Sequence, residues 1–329
     1  MNIYKNKKVL VAGGTGLIGK PLVEMLIERG ANVRISSLDD PSRANQSVRE
    51  FYRIDLRESV NCQRVCEGMD YVFNLLCVKG SPKATERNPA DFFDNTLLFN
   101  TNLMRAAREA KVERYLFTSS YGVYAPSDVF FEDDVWKTFP SQRDKFAAWS
   151  KRMGELQAEA YQIQYGWNDI SIVRPANTYG PHDNFSKQNS MVIPSLIRRI
   201  TEGEDPLVVF GDGNDVRDFI HARDVARGML IVLEKSPGPK NPVNLGSGKG
   251  CTIKDLVKII IENTSENPRV IWDSSNPQGD RSRVVDISRA RSLGFNPEIS
   301  LEQGIEETIE WYKSNKESSS KRYEIITDN

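Results

Sequence analysis

The chain has 329 residues, 39% hydrophobic and 27% charged, enough to bury a full core as one large α/β domain with a lid or as two closely joined domains. A formal net charge of −1 gives no basic excess for nucleic acid or an anionic membrane surface. No apolar run is long enough for a membrane span and residues 1–5 lack a signal-peptide core, so a soluble, cytoplasmic protein is expected. Cys62, Cys66, Cys77 and Cys251 lack C-x-x-C spacing and read as reduced thiols. With His182 and His221 the only histidines, a His-rich metal site is excluded and a Ser-His-Asp triad is disfavoured; no metal is expected.

Residues 7–11 read as a short buried strand, and 17–29 as a helix with Leu22, Val23, Leu26 and Ile27 on one apolar face. Between them stands Gly13-Gly14-Thr15-Gly16-Leu17-Ile18-Gly19. Strand, glycine turn and helix together predict a dinucleotide site. A glycine allows the tight turn and removes the side chain that would block a pyrophosphate. The N–H groups of the first helical turn, around Leu17 and Ile18, then face the anion. The last glycine lets the helix pack close on the strand.

Residues 31–37 form the second strand, whose end selects the cofactor. Asp39 or Asp40 would hydrogen-bond the adenosine ribose of NAD, whereas Ser37 with Arg43 would hold the extra phosphate of NADP. NAD is the reading carried forward, with NADP the alternative. A third strand covers 51–56, with Asp55 at its end placed for the adenine amine and Leu56 beside it; 71–76, with Leu75, is the fourth. Helices follow at 91–110 and 145–165, with strands at 114–120 and 169–174. This alternation predicts a parallel, doubly wound Rossmann-type sheet with its chemistry at the carboxyl ends of the strands.

Beyond Pro175 the rhythm changes. Residues 192–200 read as a helix, and 219–221 with 224–233 as a strand and helix returning to the main sheet. The expected division is residues 1–178 plus about 214–245 for the dinucleotide, and about 179–213 plus 246–315 for a smaller mixed substrate region. Residues 316–329 are expected to be a flexible tail.

At this point the chain resembles the extended short-chain dehydrogenases/reductases that act on sugar nucleotides. The resemblance rests on the glycine turn, on Ser119-Ser120-Tyr121-Gly122-Val123-Tyr124, on residues 173–181 around Arg174-Pro175, and on Arg217-Asp218-Phe219-Ile220-His221. It runs from about residue 7 to 312. Within the family, residues 180–185 and 192–199 look most like GDP-fucose synthases, which implies a GDP-linked sugar. The resemblance also implies a homodimer through the two long helices.

The family's catalytic set is a Ser or Thr followed by Tyr-x-x-x-Lys, in which the phenol exchanges a proton with a sugar hydroxyl while hydride moves to or from the nicotinamide. Here Lys151 matches the lysine and Ser120 the serine, but Ala147 stands where the tyrosine belongs. Ala147 is either an engineered knock-out or a natural departure, and the natural departure agrees with other missing parts. Gly122 and Met191 occupy the positions of the cysteine and histidine used in 3,5-epimerisation, and Tyr121-Gly122 replace the acidic pair of dehydratases. What remains is hydride transfer at a sugar carbon, most often C4, in the pattern of a GDP-heptose 4-dehydrogenase. Alternatives are a 4-epimerase and a non-catalytic dinucleotide-binding homologue. Ser120, Lys151 and, as a stand-in base, Tyr121 are the candidate catalytic residues. Lys151 and Pro175 flank the nicotinamide, while Asn177, Val192, Arg217 and Arg281 (or its neighbour Arg283) are candidates for the sugar nucleotide.

Overall fold

A computed structural model describes residues 2–78, 80, 82–275 and 280–320. The first half runs β1 (Lys8–Ala12), α1 (Gly19–Glu28), β2 (Asn32–Ser37), β3 (Glu50–Arg53), α2 (Ser59–Cys66), β4 (Tyr71–Asn74), α3 (Pro82–Arg87) and α4 (Pro89–Glu109). It continues through β5 (Arg114–Thr118), β6 (Val129–Phe130), α5 (Lys145–Tyr165) and β7 (Ile170–Pro175). The second half contains β8 (Asn177–Tyr179), α6 (Val192–Thr201), β9 (Leu207–Phe210), β10 (Val216–Arg217), β11 (Phe219–His221), α7 (Ala222–Lys235) and β12 (Val243–Leu245). Then come β13 (Cys251–Thr252), α8 (Ile253–Glu262), β14 (Val270–Asp273), β15 (Ser282–Val285), α9 (Ser288–Ser292) and α10 (Leu301–Ser314).

Seven strands form one parallel sheet in the order β12-β7-β5-β4-β1-β2-β3. Both faces are covered, and β1 shows why its sequence is apolar throughout. Val9 and Val11 enter one core with Leu22 of α1 and Met229 of α7. Leu10 and Ala12 enter the opposite core with Cys62 of α2, Leu103 of α4 and Ala158 of α5. The order reverses between β1 and β4, so the ends of β1, β4, β5 and β7 open on a crevice there.

Under the crevice lies a buried ion pair. Arg174 on β7 donates through Nε and Nη2 to Glu155 of α5, at 2.9 and 2.6 Å, and through Nη1 to the Tyr124 hydroxyl at 2.9 Å. Tyr124 in turn donates to Asn244 of β12 at 2.7 Å. This network ties α5 to the sheet edge and fixes the stretch between Ser119 and Tyr124.

A third core, with Phe185, Leu196, Ile197, Leu256, Ile260 and Ile309, holds the smaller region. Its strands form a four-stranded sheet, β13-β10-β15-β6, and the pairs β11–β8 and β14–β9. One sequence reading is corrected here. Residues 219–221 pair with 177–179 and do not join the main sheet, because β8 leaves the end of β7 and draws β11 with it. Residues 216–217 pair with 251–252 and 282–283, in a sheet that also takes in residues 129–130. The expected tail is partly folded: Ser319 is buried and its carbonyl accepts from the Phe185 N–H. Residues 321–329 lie outside the described residues. No helix among the described residues is long and apolar enough to cross a membrane.

Candidate active site

The crevice is a cleft of about 480 Å³ along the carboxyl edge of the sheet. At one end the glycine turn builds its floor. Gly13 has φ +87°, which an L side chain rarely adopts. A Cβ on Gly19 would lie 2.2 Å from the Gly13 carbonyl oxygen, so α1 sits directly on the turn. No side chain caps the first turn of α1, leaving that N-terminus free for an anion. Gly13, Thr15, Gly16, Leu17, Ile18 and Gly19 all line the cleft.

Asp39 lines the same end. Its carboxylate accepts from the Thr15 hydroxyl at 2.8 Å and lies 3.7 Å from Arg43. Thr15 Oγ1 is also 2.6 Å from Ser37 Oγ. Asp40 instead caps a short turn, accepting from the Ser42 N–H at 2.9 Å. Asp55 and Leu56 do not line the cleft. Asp55 is drawn to Arg57, 2.8 Å from its Nε, and Leu56 is buried in the second core. Strand β3 ends at Arg53, so both residues fall in the turn beyond it.

In the middle of the cleft stand Leu75, Thr118, Ser120, Tyr121, Ala147, Lys151 and Pro175. Ser119 is turned inward and donates to Glu155 at 2.5 Å. Ser120 keeps its hydroxyl at the cleft, accepting from the Gly122 N–H at 3.0 Å. Lys151 is buried, and its Nζ donates to the carbonyls of Leu76 and Thr118 at 2.9 and 2.8 Å. Burial lowers its pKa, opposed by the nearby Cys77 and Glu155. An ammonium has three donors, so one remains for a ligand. The buried Thr118 hydroxyl has no hydrogen-bond partner among the described residues. An uncapped helix end, a glycine floor, an unused ammonium donor and an orphan hydroxyl fit a bound dinucleotide.

Tyr121 donates to Asn177 Oδ1 at 2.7 Å and sits beside the Arg283 guanidinium. Burial raises its phenol pKa, opposed by Arg283. Phe146 points away from the cleft and is exposed.

The far end is lined by Asn177, Asp183, Met191, Val192 and Arg283. Val192 opens α6, whose N-terminus also has no side-chain cap. Arg217 and Arg281 do not line the cleft. Arg217 is held by the carbonyls of Val216 and Asp280 and by Asp215, while Arg281 is largely exposed beside Asp212. Arg217 and Arg283 are register partners on the paired strands β10 and β15, and it is Arg283 that lines the cleft, together with its ion-pair partner Asp144, 2.7 Å from its Nη1. Asp144 went unnoticed in the sequence, although it lies three residues before Ala147 and seven before Lys151, a spacing that shares one helix face. His221 is buried with its Nδ1 accepting from the Arg223 N–H, and burial lowers its pKa to about 4. Neither His221 nor His182 lines the cleft. Among the described residues no cluster of metal-ligating side chains occurs.

The sheet order and the cleft define a dinucleotide-dependent enzyme of the extended short-chain dehydrogenase type. Residues 9–246 match the NAD dependent epimerase/dehydratase family, and the chain belongs to it. It is 32% identical over 320 residues to GDP-L-fucose synthase 1 of Arabidopsis thaliana, covering 94% of each chain. The UDP-glucose 4-epimerase of Thermotoga maritima, solved with UDP-glucose, superposes with a TM-score of 0.84 at 26% identity, over 94% of this chain and 100% of that one. The NAD complex of the Thermus thermophilus UDP-glucose 4-epimerase gives 0.79 at 25% identity, over 93% and 99%. NAD(P) is therefore the cofactor class.

Proposed function

We propose that the chain is an NAD(P)-dependent oxidoreductase that acts on a GDP-linked sugar, moving hydride at C4 to give a 4-keto sugar. The observation that carries this reading is one cleft holding the glycine turn, Ser120 and Lys151, with Gly122 and Met191 at positions that cannot move protons beside a keto group. Likeness to a GDP-L-fucose synthase supports the GDP-sugar class.

When bound, the dinucleotide supplies the hydride acceptor or donor. The N-terminus of α1, with Gly13, Gly16 and Gly19 leaving room, would hold the pyrophosphate. Asp39 would hold the adenosine ribose, and its carboxylate would repel a 2′-phosphate, which favours NAD. Lys151 would hold the nicotinamide-side ribose and supply positive charge, with Pro175 beside it. Ser120 hydrogen-bonds the sugar hydroxyl. Asn177, the backbone at Val192 and the Arg283 guanidinium hold the nucleotide diphosphate, since guanidinium forks match phosphate oxygens. The exposed apolar residues Leu98 of α4 and Leu156 and Ile163 of α5 support a homodimer through those helices.

The test is absorbance at 340 nm with stoichiometric enzyme, excess NAD and a panel of GDP-sugars. Growth of NADH with a keto-sugar product is expected, and Lys151→Met should abolish it. Sugar inversion without NADH would replace the reading with a 4-epimerase. A flat trace with every sugar and no inversion would leave a binding protein.

A further inference from the structure

The residues matched to the family's catalytic set leave the proton acceptor unassigned. Ala147 carries no ionisable group, Tyr121 is a raised phenol whose proton is already given to Asn177, and Lys151 is a donor. Asp39 lies at the other end, beside Thr15. Asp183 accepts from the Asn184 N–H in its own loop.

Asp144 is different. It stands at the N-cap position of α5, where an aspartate usually caps its own helix and contributes about 0.5–2 kcal/mol. Here it caps nothing. Its side chain turns instead into the cleft, where Oδ2 is buried and accepts no aligned hydrogen bond among the described residues. It pairs with the Arg283 guanidinium. Gly122 separates it from the candidate serine: a Cβ on Gly122 would lie 3.4 Å from Ser120 Oγ and 3.8 Å from Asp144 Cβ and Cγ. The serine hydroxyl and the carboxyl therefore flank one side-chain-free position. Asp144, Ala147 and Lys151 share a helix face, and at 147 only a methyl group lies between them.

We propose that Asp144 is the proton acceptor of this site, and that a substrate diphosphate frees it by drawing Arg283 away. The proposal rests on the oxidoreductase reading above. As substrate is oxidised, the sugar O–H bond breaks and its proton passes to the Asp144 carboxylate. The C–H bond breaks and its hydrogen leaves with both electrons to the oxidised nicotinamide dinucleotide, as the carbonyl forms. Water then removes the proton from Asp144. Without substrate, Arg283 lies between Asp144 and Asp280, and its guanidinium covers the Asp144 carboxylate. The charged and titratable groups around Asp144 are Arg283 and Asp280, Tyr121, and Lys151 farther along its own helix.

The test has two arms, both on the full chain. Calorimetric titration with GDP reads the Arg283 exchange: in Asp144→Asn no carboxylate competes for Arg283, so GDP should bind about 2- to 5-fold more tightly, the scale of a partly exposed ion pair. In single-turnover assays at 340 nm, D144N should lose on the order of 10²–10⁴ in rate, with an unchanged thermal midpoint. GDP affinity equal to wild type or weaker in D144N overturns the exchange. D144N turning over as fast as wild type overturns the proton-acceptor role. Tighter GDP binding by D144N, with a wild type that never forms NADH, supports the Arg283 exchange and sinks the oxidoreductase reading instead.

Discussion

Gly19→Ala is the sharpest test of the dinucleotide floor. The added methyl carbon would lie 2.2 Å from the Gly13 carbonyl oxygen and 2.7 Å from Gly14 Cα, both backbone atoms of the turn itself. Cβ contacts under 3.0 Å essentially never occur, so the turn and α1 must separate by at least the difference, 3.0 − 2.2 = 0.8 Å. No flexible side chain is present to absorb this. Overpacking of this kind costs about 1–3 kcal/mol. Because the turn that moves is the one that receives the pyrophosphate, dinucleotide affinity should fall by about 5- to 150-fold, at about 1.4 kcal/mol per tenfold. NADH fluorescence titration reads the affinity, and a thermal melt reads the stability. Gly68→Ala is the control: it also has positive φ, +69°, but has nothing within 4 Å and is remote from the cleft. It should lower the midpoint and leave NADH affinity unchanged. Wild-type affinity and melting in G19A would refute the close approach of α1 to the turn.

Arg174→Met leaves Glu155 buried without its cation, and breaking such a pair costs about 3–5 kcal/mol; an unchanged urea midpoint would argue against the network beneath the site. His221 is held neutral by burial, with a folded pKa near 4 against 6.5 unfolded. The unfolded chain binds the proton more readily, so this contribution is intact above 6.5 and is lost as pH falls toward 4. Between pH 7.5 and 5 it amounts to about 2 kcal/mol, and His221→Gln should flatten the urea stability profile there by that amount; identical slopes would place the pH sensitivity elsewhere. Asp39→Ala removes the carboxylate proposed for the adenosine ribose, so NAD affinity should fall about 10- to 150-fold, the scale of a charged hydrogen bond of about 1.5–3 kcal/mol, with NADP little affected. Equal losses for both dinucleotides would mean that Asp39 only braces Thr15.

The sequence by itself determined the strand–glycine turn–helix opening, the alternation that makes a parallel sheet, and the placing of Ser120, Ala147 and Lys151 on elements that meet. These are local signals. A glycine turn must follow its strand, a strand buried on both faces must be apolar throughout, and residues four apart on a helix share a face. Tertiary structure decided which side chains reach the cleft from the second half of the chain. Arg217, Arg281 and Arg283 are chemically alike in sequence, but the ion pair with Asp144 turns Arg283 into the cleft, while the Val216 and Asp280 carbonyls hold Arg217 and Asp212 holds Arg281 outside it. Asp55 and Leu56 look like strand-end residues by composition, yet β3 stops before them and the chain has already turned away. The fate of residues 219–221 depended on where β8 leaves the main sheet. Asp144 went unnoticed in the sequence, and only the position of β15 against α5 brings Arg283 to its carboxylate. Helix and turn chemistry is written in neighbouring residues, whereas contacts between distant segments exist only once the sheet order has brought them together.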